Sequence, residues 1–315
     1  MSRCISFTVL QDRRYRKTFA GSGLRSATTD LGDGTVMHFW VPKTHKPGKP
    51  NLLLIHGVGA NAMWQWYQFI PRLTGKFNVY VPDLVFFGKS YTSRPERTEG
   101  FQAECVMRGM EALEVRRMEV VGLSYGGFVA YSMAAQFPAA VERVVIVASG
   151  VCMEEKDLEK GLFKVGSVDD AIAVLLAQTP EKMRELMRFT FYKPAKIMPS
   201  CFLVDFIDVM CTENLKERKE LIIALHKNRK LSDLPRINQP TLIIWGDKDQ
   251  IFPLELAHRL KRHLGENAEL AIIKHAGHAV NVEKWKEMYK HMKAFLVDRP
   301  LSSKDEHNGN NLKAD

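Results

Sequence analysis

Gly122-Leu123-Ser124-Tyr125-Gly126 sets a serine between two glycines, where an apolar run meets a helical pattern. The run Met118–Val121, interrupted only by Glu119, reads as a buried strand. The stretch Gly126–Phe137 reads as a helix, with Ala130, Ala134 and Ala135 where close packing is needed. A strand that turns so sharply into a helix has strained backbone angles, and flanking glycines leave room for the turn. Such a turn lifts the Ser124 hydroxyl clear of the sheet and aims the positive end of the helix at it. A free serine hydroxyl is a weak nucleophile and needs a positioned base, itself oriented by an acid. Candidates for both follow apolar runs later in the chain. Asp247 and Asp249 lie in Gly246-Asp247-Lys248-Asp249 after Thr241–Trp245, and His275 and His278 lie in His275-Ala276-Gly277-His278 after Leu270–Lys274. A fourth loop, His56-Gly57-Val58-Gly59, follows Leu52–Ile55 and has the glycines that let backbone N–H groups approach a reacting carbonyl. The chemistry these residues fit is acyl transfer through a serine.

These loops need a scaffold, and two kinds of segment supply it. The runs Leu52–Ile55, Val79–Val81, Met118–Val121, Val144–Val147, Thr241–Trp245 and Leu270–Ile273 are nearly continuously apolar. Continuous runs predict strands covered on both faces, hence a mostly parallel sheet. Helical patterns fall between them at Trp66–Leu73, Glu99–Leu113, Tyr125–Phe137, Leu254–Leu264 and Glu283–Phe295. Before them, Leu24–Leu31 and Val36–Val41 flank Gly32-Asp33-Gly34, a hairpin signal, and Pro42 ends the second. The expected fold is an open α/β core with helices on both faces of the sheet.

The interval 151–234 breaks this rhythm. It predicts amphipathic helices over Asp169–Gln178, Pro180–Phe191, Pro199–Met210 and Leu215–Asn228, with Pro180 and Pro199 suited to first turns. A helical insertion above the carboxyl ends of parallel strands would cover the place where open α/β sheets bind ligands. The expected organisation is a basic arm over 1–23, a core over 24–150 and 235–298, a helical cap over 151–234 and a disordered tail over 299–315.

Composition narrows the classes. The 315 residues are 45% hydrophobic, as in a globular protein, and no apolar run approaches the roughly 18 residues of a membrane span. No secretory apolar region stands at the N-terminus, because Ile5–Leu10 is short and interrupted by polar residues. Cys4, Cys105, Cys152, Cys201 and Cys211 are scattered and odd in number, which predicts a reducing, cytoplasmic setting. Cys105 and Cys201 read as small core residues. Of the net charge of +9, much sits in Arg3, Arg13, Arg14, Arg16 and Lys17 against the single acid Asp12. This stretch reads as a solvated, flexible arm. Its alternative is peripheral contact with an anionic membrane surface, and no nucleic-acid motif accompanies it. No Gly-x-Gly-x-x-Gly and no metal-ligand cluster occurs, so neither cofactor nor metal is expected.

Ser, then acid, then His is the chain order of the α/β-hydrolases. Over residues 24–298 the chain resembles that superfamily, in the cap-bearing branch that includes monoacylglycerol lipases and meta-cleavage C–C hydrolases. Asp83-Leu84-Val85-Phe86-Phe87-Gly88-Lys89-Ser90 resembles the family's Asp-x-x-Gly-x-Gly-x-Ser turn, with Phe86 at a common glycine. Trp245-Gly246-Asp247-Lys248-Asp249-Gln250 resembles the lipase form of the acid loop. The resemblance implies an α/β-hydrolase fold with Ser124 as nucleophile, His278 rather than His275 as base, and Asp249 rather than Asp247 as acid. It implies an oxyanion hole from the backbone N–H groups of Val58 and Tyr125. After the strand that follows the elbow helix, Ala148-Ser149-Gly150 offers no competing carboxylate. A serine in this place also argues against dehalogenases and epoxide hydrolases, which use Asp there.

The substrate is read from apolar residues near these loops. Met198, Phe202, Phe206 and Met210 recur at helical spacing, and Trp64, Phe86 and Phe87 stand in or beside the loops. Phe202, Phe206, Trp64, Phe86 and Phe87 are expected to line an acyl or aromatic pocket; packing inside the cap is the alternative for the stripe. The leading expectation is an esterase for a monoacylglycerol or small acyl ester. Two alternatives remain open. One is a small-molecule receptor with slow turnover. The other is a C–C hydrolase, which needs a cationic anchor for a keto acid.

Overall fold

A computed structural model describes residues 6–195 and 197–298. Nine strands form one sheet: β1 (Leu24–Asp30), β2 (Thr35–Pro42), β3 (Asn51–Ile55), β4 (Asn78–Pro82), β5 (Tyr91–Thr92), β6 (Met118–Leu123), β7 (Val141–Val147), β8 (Thr241–Gly246) and β9 (Ala268–Ile273). Their spatial order is β1-β2-β4-β3-β6-β7-β8-β9, with the two-residue β5 paired to β2. From β4 to β9 every pairing is parallel, and the β1–β2 hairpin joins β4 antiparallel. The expected mostly parallel sheet is the observed one.

The reason its strands read as continuous apolar runs is direct. Leu52 and Leu54 enter one apolar cluster while Leu53 and Ile55 enter another, on the opposite face. Alternating side chains of a strand point to opposite faces, and here both faces are covered. Glu119, the interruption in β6, is fully buried. Its carboxylate takes two hydrogen bonds from Arg143 of β7, which also donates to the carbonyls of Phe295 and Leu296.

Thirteen α-helices accompany the sheet among the described residues. The first five are α1 (Phe7–Gly21), α2 (Ala62–Trp66), α3 (Ile70–Leu73), α4 (Glu99–Ala112) and α5 (Tyr125–Gln136). Between β7 and β8 lie α6 (Glu155–Glu159), α7 (Val168–Leu175), α8 (Pro180–Thr190), α9 (Ser200–Met210) and α10 (Leu215–His226). The last are α11 (Leu254–Leu264), α12 (Val280–Glu283) and α13 (Trp285–Leu296). The four helices expected in the insertion are present within a few residues, and α6 is additional. The patterns read as single helices over Trp66–Leu73 and Glu283–Phe295 are each preceded or split by short helices. The first becomes α2 and α3; the second becomes α12 and α13.

The largest correction concerns the N-terminus. Residues 7–21 are a helix packed on α2, α3, β1 and α9, not a solvated arm. Tyr15 and Phe19 are buried, and Tyr15 stacks on Tyr67. Asp205 of α9 accepts the Thr8 N–H at 2.7 Å, so the insertion holds the start of this helix. Cys105 is buried as expected, whereas Cys201 is exposed at the start of α9. The expected tail over 299–315 lies outside the described residues.

Candidate functional site

The turn between β6 and α5 has the backbone the sequence demanded. Ser124 sits at φ 53°, ψ −118°, in a region L-residues rarely visit. The glycines permit it by contact. A Cβ on Gly122 would lie 2.2 Å from the Gly126 carbonyl oxygen, and one on Gly126 would lie 2.4 Å from that of Ile55. The elbow is therefore pressed against β3 with no space for side chains.

Ser124 Oγ stands 2.9 Å from His278 Nε2, and His278 Nδ1 stands 2.9 Å from Asp249 Oδ2. A carboxylate only accepts, so Nδ1 carries the proton and Nε2 is left to accept from the serine hydroxyl. Asp249 Oδ1 accepts the N–H groups of Ile251 and Phe252, both at 2.9 Å, which fixes the other oxygen on the imidazole. The competing pair lies elsewhere. His275 is exposed, at φ 55°, and stacks on Tyr192. Asp247 faces the backbone of the histidine loop, with Ala276 N at 3.4 Å and Lys248 Nζ at 3.5 Å. Burial opposes its ionisation, but those backbone and lysine contacts hold its carboxyl below the usual range.

The loop after β3 lies against the serine. A Cβ on Gly57 would be 2.9 Å from Ser124 Cβ. Gln65 clamps this loop, accepting the Gly57 N–H at 2.7 Å and donating to the carbonyls of Gly57 and Ala60. His56 accepts the Leu84 N–H at Nε2, so its Nδ1–H donates to the Gly57 carbonyl. Burial holds its pKa below the ordinary value. It is a fixed structural ring. Tyr125 opens α5, where a helix leaves its N–H groups without intrahelical partners, and Val58 lines the same cavity as Ser124. Nothing in the sequence points to Gln65, because an isolated Gln in a short helix such as α2 carries no signal of a loop it clamps.

Glu283 is a second residue the sequence reading left without a role. Its carboxylate accepts the N–H groups of Gly277, Tyr192 and Lys193, at 2.7, 3.1 and 3.2 Å. It ties the histidine loop to the insertion.

Ser124 opens on a cavity of about 110 Å³, several times the ~10–15 Å³ that holds one water. Its walls are overwhelmingly apolar: Val58 and Phe252 from the core, Phe163, Val174, Phe189 and Ile222 from the insertion. Lys164, His226 and Gln250 are its polar members besides Ser124 and Tyr125. None of the five residues expected in the pocket is among its lining. Phe86 and Phe87 are buried in the core, beneath Arg97 and Arg218 respectively. Phe86 has φ 74°, which explains why a glycine is common there, and Arg218 and Asn214 donate to its carbonyl. Trp64 packs on Tyr15 and donates to Asp12, so α1 covers it. Phe206 packs on Trp64, and Phe202 on Phe7. The stripe meets α1 because the N-terminal segment is a helix, and an apolar face turned to α1 is not available to a substrate.

A second serine, histidine and aspartate also line up. Ser26 Oγ lies 2.7 Å from His38 Nε2, and His38 Nδ1 lies 2.8 Å from Asp83 Oδ2. Ser26 sits in extended β1 with no helix N-terminus behind it. Asp83 and Ser90 brace their own turn, since Ser90 Oγ–H donates to the Asp83 carbonyl and Ser90 Oγ accepts the His38 N–H. That cluster is a structural pin. Among the described residues no group of three or more His, Cys, Asp or Glu could hold a metal ion.

The profile described as the Alpha/beta hydrolase family matches residues 52–290. Monoacylglycerol lipase ABHD6 from Bos taurus is 26% identical over 264 residues, covering 80% of this chain and 77% of that protein. The 2-hydroxy-6-oxo-2,4-heptadienoate hydrolase of Pseudomonas putida is 28% identical, covering 80% and 91%. The crystal structure of lip1 from Acinetobacter baumannii AYE aligns with TM-score 0.78 at 25% identity, over 95% of this chain and 98% of that one.

Proposed function

We propose that this chain, which belongs to the alpha/beta hydrolase family, hydrolyses a carboxylic ester of a moderately lipophilic substrate, a monoacylglycerol or small acyl ester. One observation carries the proposal: the hydrogen-bond line from Asp249 through His278 to Ser124 ends at an apolar cavity. In this reading the acyl chain lies among Ile222, Val174 and Phe163. His278 Nε2 takes the Ser124 proton as Oγ attacks the ester carbonyl. The N–H groups of Tyr125 and Val58 receive the negative oxygen. His278 then gives its proton to the leaving alcohol, and the acyl-enzyme remains. A water, deprotonated by His278, then attacks the acyl carbonyl; the bond to Ser124 Oγ breaks, Oγ takes the proton back from His278, and the acid leaves. Residues 151–234 act as the cap over the core of 24–150 and 235–298. Similarity to a monoacylglycerol lipase supports the ester class.

Fluorophosphonate labelling located by mass spectrometry, followed by turnover on an ester series, tests the reading. Label on Ser124 with turnover is expected. A ligand-induced melting shift with no turnover on any ester would favour the receptor alternative instead.

The pocket sets the chain-length expectation. Truncating Ile222 or Phe163 to Ala should move the preferred ester toward longer chains. Each methylene newly in contact is worth about 0.8 kcal/mol, roughly fourfold in kcat/KM. Phe202→Ala should leave that preference unchanged. Identical chain-length profiles for wild type and both pocket variants would remove these residues from the acyl site.

A C–C hydrolase is the second reading, and Lys164 in the cavity lining is the observation that favours it. A keto-acid carboxylate would need such a cation. Lys164→Met should then raise KM for a meta-cleavage product by about tenfold or more, the scale of one charge-assisted hydrogen bond. Measured turnover of such a product, sensitive to this variant and exceeding ester turnover, would replace the leading reading.

A further inference from the structure

We propose that the outer face of α1, with the start of α9 beside it, docks this protein on an anionic phospholipid bilayer. Helix α1 has two unlike faces. Thr8, Tyr15 and Phe19 are buried beneath it. On the opposite side, at about 100° per residue, Phe7, Leu10, Arg13, Arg14 and Lys17 fall within an arc of about 120°. All five are exposed, with Phe7 at 54% and Leu10 at 48%. Phe7 meets Phe202 of α9 edge to face at 5.5 Å, and Phe202 is itself 46% exposed. Two exposed aromatic rings on different elements thus form one apolar patch, with Leu10 a turn further along α1.

The charge beside that patch identifies the occupant. Asp12, the single acid of α1, accepts from Arg16, Asn61 and Trp64 and is turned toward the body of the protein. Arg13, Arg14 and Lys17 form no ion pair among the described residues. Asp208, exposed on α9, lies about 120° around that helix from Phe202. The nearest carboxylate, Asp205, is engaged by the Thr8 N–H, and an apolar tip flanked by unpaired cations on one face of α1 is the pattern of an interfacial helix on anionic lipid. The face is also held in place. Ser6 and Asp205 accept the N–H groups of Val9 and Thr8, two of the first-turn donors that lack partners within the helix. No helix among the described residues is long and apolar enough to cross a membrane, so the contact is lateral.

The test is sedimentation of the full chain with vesicles of phosphatidylcholine, alone or mixed with phosphatidylglycerol. It is read without turnover, so its outcome is independent of the ester-hydrolase reading. Binding to the mixed vesicles is expected, weakening as salt screens it. The triple variant Arg13→Gln, Arg14→Gln, Lys17→Gln should lose on the order of 10²-fold in partitioning to the anionic vesicles. The pair Phe7→Ser, Phe202→Ser should lose about tenfold or more on the same vesicles. Melting temperatures near wild type would show that both variants fold, since all five side chains are exposed. Equal sedimentation with and without phosphatidylglycerol, or unchanged binding of folded variants, would overturn the proposal. So would a wild type that forms a dimer through Phe7 and Phe202 and ignores vesicles, which would give the face to a second copy of the chain.

Discussion

Ser124→Ala should reduce ester hydrolysis by on the order of 10³-fold or more while leaving the fold intact. The rate loss follows from chemistry. In the proposed mechanism no acyl-enzyme forms without Oγ, and only the proposed oxyanion donors and the pocket would remain to assist direct attack by water. The intact fold follows from the backbone. Ser124 holds φ 53° with a Cβ already present, so alanine meets the same strain as serine. The hydroxyl makes one hydrogen bond, to His278, and that ring keeps its tie to Asp249. The expected change in stability is within about 1 kcal/mol. Steady-state rates and melting temperatures of the purified variant check both halves. Retention of more than a tenth of the wild-type rate would remove Ser124 from the nucleophile's place.

Much of this site is legible because its parts are backbone devices. A strand covered on both faces is apolar along most of its length, and β3, β6, β7 and β8 show that, with Asn51, Glu119, Glu142, Arg143 and Thr241 as their polar exceptions. A serine at a forbidden turn must have glycine neighbours, and Gly122 and Gly126 declare the elbow. The choice between His275 and His278, or between Asp247 and Asp249, is different. Both members of each pair share a loop, and only the direction of the side chains separates them.

What stayed hidden depends on tertiary placement. Helix α1 buries only Thr8, Tyr15 and Phe19, one of them polar, while five of its residues are charged. So thin a stripe cannot be told from a solvated segment until its partners are known. The insertion carries several apolar stripes of similar strength. That on α9 meets α8 and α1, whereas residues of α7 and α10 line the cavity. Helical periodicity gives each stripe but not its neighbour, so it cannot decide between a pocket wall and packing for the aromatic stripe, which packs on α8 and α1. Glu119 shows the same limit: the strand reads as buried in spite of it, but the partner that permits a buried carboxylate, Arg143 of β7, is not legible in the sequence.

Asp249→Asn should cost far more activity than Asp247→Asn, about 10³- to 10⁴-fold against less than about tenfold. The hydrogen bonds give the reason. Oδ1 of Asp249 accepts two backbone N–H groups, from Ile251 and Phe252. An asparagine must keep its carbonyl oxygen there, so its NH₂ turns toward His278 Nδ1. Two donors cannot share that contact, and the imidazole moves its proton to Nε2. Nε2–H then points at Ser124 Oγ as a donor and cannot take the serine's proton. Nor is there a carboxylate left to stabilise the imidazolium. At Asp247 the change is smaller, because its longer contacts brace a loop and reach no reacting atom. Both variants should fold, and kcat/KM beside melting temperature separates lost chemistry from lost structure. If Asp247→Asn proves the more damaging at equal stability, the orienting carboxylate is Asp247, and the 2.9 Å contact from Asp249 to His278 is structural.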